Sequence, residues 1–135
     1  MFRNFFESLK IELTGMGQEV KVGIPHKPNG GDGDQGEDIT IYLTFINIER
    51  IERQAGRAVI RILITAFIKE SKLVTEEAQL DALEAIDEII GYLEENRRSY
   101  TLVPTPENMT NNIWSAFRIP LRPFLVYECP VSLSN

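Results

Sequence analysis

Ala58-Val59-Ile60-Arg61-Ile62-Leu63-Ile64-Thr65-Ala66-Phe67-Ile68 is apolar at nearly every position apart from Arg61 and Thr65, and it is rich in β-branched side chains. A strand with one wet face alternates in polarity, whereas a run like this one belongs to a strand covered on both faces. The segment is therefore expected at the centre of a sheet. Just upstream, Ile39 to Ile48 does alternate, with Ile39, Ile41, Leu43 and Phe45 on one face and Thr40, Tyr42 and Thr44 on the other. After Phe45 the apolar parity flips to Ile46 and Ile48, which predicts a β-bulge or a strand passing from one environment to another. Glu49-Arg50-Ile51-Glu52-Arg53-Gln54 continues the strand with dense alternating charge, and Gly56 with Arg57 marks a turn or an interruption.

Outward from this pair, Phe2, Phe5, Phe6, Leu9 and Leu13 recur at helical spacing, so residues 2–14 read as an amphipathic helix stopped by Gly15 and Gly17. Val20 to Ile24 reads as a short strand ended by Pro25 and Pro28. The stretch 28–38 holds four glycines, four acids and no apolar residue, which predicts a mobile loop without burial of its own. Thr75 caps a helix with Glu76 and Glu77 in its first turn and Arg97 and Arg98 at its far end. Its buried stripe is expected from Leu80, Leu83, Ile86, Ile90 and Leu93, widened by Ala82 and Ile89. Pro104 and Pro106 interrupt regular structure beyond this helix, residues 108–117 suit a helical turn or two, and Leu121 to Cys129 returns as a strand. The order predicts an α+β fold (an α/β sandwich): one mixed sheet with an N-terminal helix and a long central helix packed on it.

At 135 residues the chain is expected to form one domain over residues 1–135, with 43% hydrophobic and 25% charged residues. A formal charge of −6 argues against holding nucleic acid by its phosphates, which takes a basic face. One cysteine, Cys129, excludes an internal disulfide and a thiolate zinc site. No stretch approaches the roughly 18 consecutive apolar residues of a membrane helix, and residues 1–4 begin no apolar run of signal-peptide length, so a cytoplasmic product is expected, with no membrane partner.

Catalytic chemistry finds little support. The lone His26 lies near Pro25 and Pro28 beside the glycine loop, a poor place for an oriented base. Asp32 and Asp34 lack the twelve-position calcium pattern, and Gly30-Gly31 is followed by no lysine with Ser or Thr. No cofactor, metal or catalytic residue is expected, and Cys129 reads as a small buried side chain. The charged run after Asn47 reads either as a solvated strand end or as an intersubunit seam whose opposite charges fix register. Trp114, the single tryptophan, reads as a packing anchor with Pro123 and Tyr127, locking the closing strand onto the sheet and the long helix.

The segments Ile39 to Arg50, Ile60 to Phe67 and Asn112-Ile113-Trp114-Ser115-Ala116-Phe117, followed by Pro123-Phe124-Leu125-Val126-Tyr127-Glu128, occur in the order seen in a known family. They resemble the tail-terminator, or tube-capping, proteins of contractile injection systems and phage tails, over about three quarters of the chain by order of elements. The resemblance implies a structural protein rather than an enzyme. It would form a hexameric ring on the end of a tail tube, ending tube and sheath growth and joining the tail to neck, capsid or cap. The implied partners are further copies of itself, the tube protein, the sheath protein and a neck or capsid connector, with assembly in the cytoplasm before incorporation into a virion tail or injection particle. On this reading Asp32 and Asp34 meet the tube or a neighbour, and Asn47, Glu49, Arg50, Glu52, Arg53 and Arg57 lie at the ring seam. The residues alone also fit a small non-catalytic α+β ligand-binding or regulatory domain.

Overall fold

The strand expected at the centre is there. The computed structural model describes residues 1–25, 37–104 and 122–133, which build a five-stranded sheet with two helices. The strands are β1 (Val20–Val22), β2 (Ile39–Glu52), β3 (Arg57–Ile68), β4 (Thr101–Val103) and β5 (Phe124–Ser132), in spatial order β1-β2-β3-β5-β4. β1 runs parallel to β2 and every other pairing is antiparallel, so the sheet is mixed. In β3 the side chains of Ile60, Ile62, Ile64, Ala66 and Ile68 enter the main core, while Val59, Leu63, Thr65 and Phe67 are buried on the opposite face. Burying each of the larger aliphatic side chains contributes about 1.5–3 kcal/mol.

α1 (Phe2–Thr14) lays Phe6, Leu9 and Leu13 on the core, with Phe2 and Phe5 packed at its margin. α2 (Glu76–Asn96) starts at Thr75, whose hydroxyl accepts from the Ala78 N–H at 3.3 Å and donates to the Lys72 carbonyl at 2.8 Å. Glu76 and Glu77 sit in its first turn, at the positive end of the helix dipole. At its other end the Arg97 guanidinium reaches Glu12 of α1, with Nε 3.2 Å from Oε2 and a second, shorter contact to Oε1. Burial opposes the charge on Arg97, but the bonds to Glu12 outweigh it and leave its pKa above the ordinary value.

The buried stripe of α2 differs from the expected one. Ala78, Ala82, Ala85, Ile86, Ile89 and Leu93 face the sheet, Ile90 is half-buried, and Leu80 and Leu83 are 57% and 50% exposed. Three alanines on the inner face let the helix backbone come close to the flat surface of β3, which a leucine row would hold off. The larger leucines are turned outward instead.

β4 has no counterpart in the expected element order: three residues before Pro104 pair with β5 and cover only Val126 to Glu128. β5 starts later and runs further than the expected Leu121 to Cys129, reaching Ser132. Beyond β4 the strand carries Pro130, opposite Val59 of β3. No described helix is long and apolar enough to cross a membrane.

Candidate interaction surface

β1 is bonded to β2 only from Ile41 to Leu43, so beyond it the β2–β3 hairpin runs on as an arm, with β5 paired to the far side of β3 as far as Arg57 and no described strand on the outer edge of β2. The arm turns at Arg53 to Gly56, where the Gly56 N–H bonds the Arg53 carbonyl at 3.1 Å. The φ of Gly56 is +65°, a conformation glycine adopts without a Cβ penalty. Two register shifts interrupt the pairing, between Phe45 and Asn47 and between Ile48 and Arg50. Each inserts one residue into β2, which resets the two-residue alternation of side chains. Apolar residues three apart, Phe45, Ile48 and Ile51, therefore stay opposite Ile62, Ile60 and Ala58 on the helix-bearing face. The parity flip seen in the sequence is the first of these bulges.

The other face of the arm is charged, and three strands contribute to it. Arg61 of β3 lies opposite Glu128 of β5, donating from Nε and Nη2 to Oε1 at 3.2 Å each, and its Nη2 is 2.9 Å from Oε2 of Glu49. Arg50 donates from Nε to Oε2 of Glu52 at 3.3 Å and stands 3.9 Å from Glu128. Arg57 closes the row by bonding the other oxygen of Glu52. The bonds from Arg57 and then Arg50 hold the Glu52 carboxyl below the usual range.

Of the residues expected at a seam, Asn47, Glu49, Arg50, Glu52, Arg53 and Arg57 all fall on this arm, and four of them are tied to one another or to Arg61 and Glu128 within the chain. Arg61 and Glu128 escape a reading of the sequence because they lie 67 residues apart, and only strand pairing shows that they meet. Asp32, Asp34, His26 and Trp114 lie outside the described residues. Pro123 accepts the Ala66 N–H at 3.0 Å through its carbonyl oxygen, and Tyr127 is fully buried in the core. Burial pushes the Tyr127 phenol up, with Glu94 and Cys129 adding to it, and its hydroxyl and that of Thr65 have no hydrogen-bond partner among the described residues.

Arg122 escapes such a reading too. Its buried guanidinium donates from Nη2 to the Ile68 carbonyl at 3.0 Å, stands 3.5 Å from Glu70, and lies 4.2 Å from the centre of the Phe67 ring. Burial pulls its pKa down against the opposing pull of Glu70. These contacts tie the entry of β5 to the end of β3, a structural use of arginine. An arginine beside a proline at the mouth of an apolar strand is the sequence signal that marks it.

Two hollows remain. Phe2, Phe6, Val22 and Phe45 line an apolar recess where α1 meets the outer edge of β2. An open cleft beside α2 is lined by acids, among them Glu19, Asp38, Asp81, Glu84 and Glu88, with Asp38 paired to Lys69 at 3.1 Å. No group of side chains placed to hold a metal occurs among the described residues. The arm presents a two-sided surface, apolar on one face and charged on the other, at the end of the sheet.

No protein-family model and no curated protein matches the sequence. Among solved structures the chain is similar to the sheath/tube terminator of an extracellular contractile injection system, PVC, in its extended state. The TM-score is 0.65 at 16% identity, over 100% of this chain and 57% of that one. A second similar structure is the tube-terminating cap of the anti-feeding prophage, with a TM-score of 0.48 at 15% identity, over 84% of this chain and 49% of that one. The chain spans little more than half the length of the first. The likeness to the first shows a shared fold, in agreement with the family that the sequence resembles.

Proposed function

We propose that this protein caps the end of a tail tube in a contractile injection particle, as a ring of identical copies at the junction of tube and sheath. The observation that carries the reading is the fold, which is shared over the whole of this chain with a sheath/tube terminator. The paired charges of the arm support a structural role over a catalytic one. Arg50, Arg57 and Arg61 are each engaged by a glutamate, an arrangement that fixes strand register rather than poising an acid or a nucleophile. The ring is a hexamer in this proposal. It stops both tube and sheath from growing, meets a neck or capsid connector where the particle has one, and assembles in the cytoplasm.

Electron microscopy of tubes assembled with and without the protein tests the reading. Tubes of uniform length bearing a ring at one end are expected when the full chain is present. Tubes that lengthen without limit and carry no ring in the presence of excess protein would sink it.

A further inference from the structure

Strand pairing fixes where the main-chain groups of the arm point. The Gly23 N–H bonds the Leu43 carbonyl at 2.9 Å, so Leu43 turns its main-chain groups to the outer edge of β2, and it lies opposite Ile64. β3 pairs with β5 without a bulge, and alternation therefore puts Ile62, Ile60 and Ala58 in the same kind of position as Ile64. Their partners across the hairpin are Phe45, Ile48 and Ile51. These three residues thus direct both N–H and C=O outward, beyond the end of the β1 pairing at Val22, and no described strand lies beside them.

Their spacing suits an incoming strand. Because each bulge absorbs one residue of β2, the outward groups stay level with every second residue of β3, which is the repeat of a regular strand. Bulges also coil an edge and turn away long, flat partners. A single short strand that follows the coil is what this edge accepts.

Side chains at the same three residues say what that strand carries. Phe45, Ile48 and Ile51 are 42%, 44% and 49% exposed on the helix-bearing face, and the recess of Phe2, Phe6 and Val22 opens beside Phe45. A strand laid here puts every second side chain on that face, one of them over the recess. On the opposite face Arg50, Arg57 and Arg61 are already paired with Glu52, Glu49 and Glu128, so no charge is asked of the side chains in between.

We infer that the outer edge of β2 from Phe45 to Ile51 binds a short extended segment of a partner protein, apolar at alternate residues and polar with little charge between them. Main-chain hydrogen bonds to Phe45, Ile48 and Ile51 hold the segment, and a large apolar side chain fills the recess beside α1. The site stands whether or not the chain caps a tube.

A synthetic hexapeptide, acetyl-Val-Thr-Phe-Thr-Val-Lys-amide, titrated against the full chain provides the test. Binding with a Kd of about 100 µM is expected, with slowed exchange at the amides of Phe45, Ile48 and Ile51. Two modified peptides separate strand addition from adhesion to an apolar patch, one N-methylated at the phenylalanine and second valine, the other at both threonines. Alternate amides of a strand point to opposite edges, so one of the two should bind at least about tenfold more weakly than the parent peptide and the other within about threefold of it. In the protein, Ile48→Pro removes an outward N–H that β3 does not use, so the hairpin should still form while peptide binding falls at least about fivefold. Ile48→Thr keeps that N–H and should bind more tightly than Ile48→Pro. Equal effects of the two N-methylations overturn the inference, as does the absence of binding at about 1 mM unmodified peptide. If Ile48→Pro does not fold, the peptide pair decides alone.

Discussion

The inner and outer halves of the β2–β3 hairpin follow the same pairing rules and meet opposite fates. In the inner half, Ile41 and Leu43 are fully buried beneath the helices, and Tyr42 and Thr44 are buried on the other face. In the outer half, Phe45, Ile48 and Ile51 keep the same helix-bearing face but the cover has run out, while the reverse face has gone over to charge. The two bulges hold the faces apart as the strand leaves the core, which a plain two-residue alternation would have done with a different sequence. One strand thus does two jobs, and the boundary between them lies at Phe45, whose ring is 5.6 Å from that of Phe2 at the start of α1.

That contrast can be broken first at its strongest point. Leu43→Ala is expected to cost about 2–5 kcal/mol of stability, read as a lowered urea midpoint, because the cavity forms under fully buried side chains. Ile48→Ala in the arm should cost under about 1 kcal/mol. Equal losses at the two positions would show that the arm is covered after all. A middle effect is expected at the charged face. Arg61→Met leaves Glu49 and Glu128 without their shared partner and should cost about 1 kcal/mol, largely recovered by Glu128→Gln. Additive losses in that double-mutant cycle would mean that the pair does not interact.

The smallest effect concerns pH. Glu52 is held below its ordinary range by Arg57 and Arg50, so its contribution is present above the unfolded carboxyl pKa and fades as pH falls through the lower, folded one. Since the group is exposed, the slope is expected to be shallow and weakened by salt. Glu52→Gln should flatten the acid limb of the stability curve slightly, and an unchanged limb would show that the arm's charges are solvated independently.

The fold is legible in the sequence wherever a pattern is long enough to be forced by burial on both sides. β3 is legible because hardly any position in it tolerates water, and the first bulge is legible because Phe45, Ile46 and Ile48 cannot share one face of a regular strand. The phase of α2 is legible only in part. Ala82, Ile86, Ile89 and Leu93 are buried as their spacing suggests, but favouring the larger side chains extends the stripe to the exposed Leu80 and Leu83 in place of Ala78 and Ala85. Helix against flat sheet selects small residues at the closest approach, which hydrophobicity alone does not register. β4 escapes because three residues show no period, and the Arg61–Glu128 pair because strand order is needed before the two can be placed side by side. The residues expected at the seam do share one arm, but the charges of four of them are paired within the chain.

Pro130 also bears on how such a protein could assemble. The Ala66 N–H bonds the Pro123 carbonyl, so the even-numbered residues of β3 point their amides toward β5, and Pro130, opposite odd-numbered Val59, turns its nitrogen to the outer edge. That nitrogen has no hydrogen to give, two residues past Glu128, where the pairing with β4 ends. A strand arriving from a neighbour at this edge finds its next acceptor unanswered. Edge-to-edge addition of a further strand is thereby braked at this position by a single ring nitrogen.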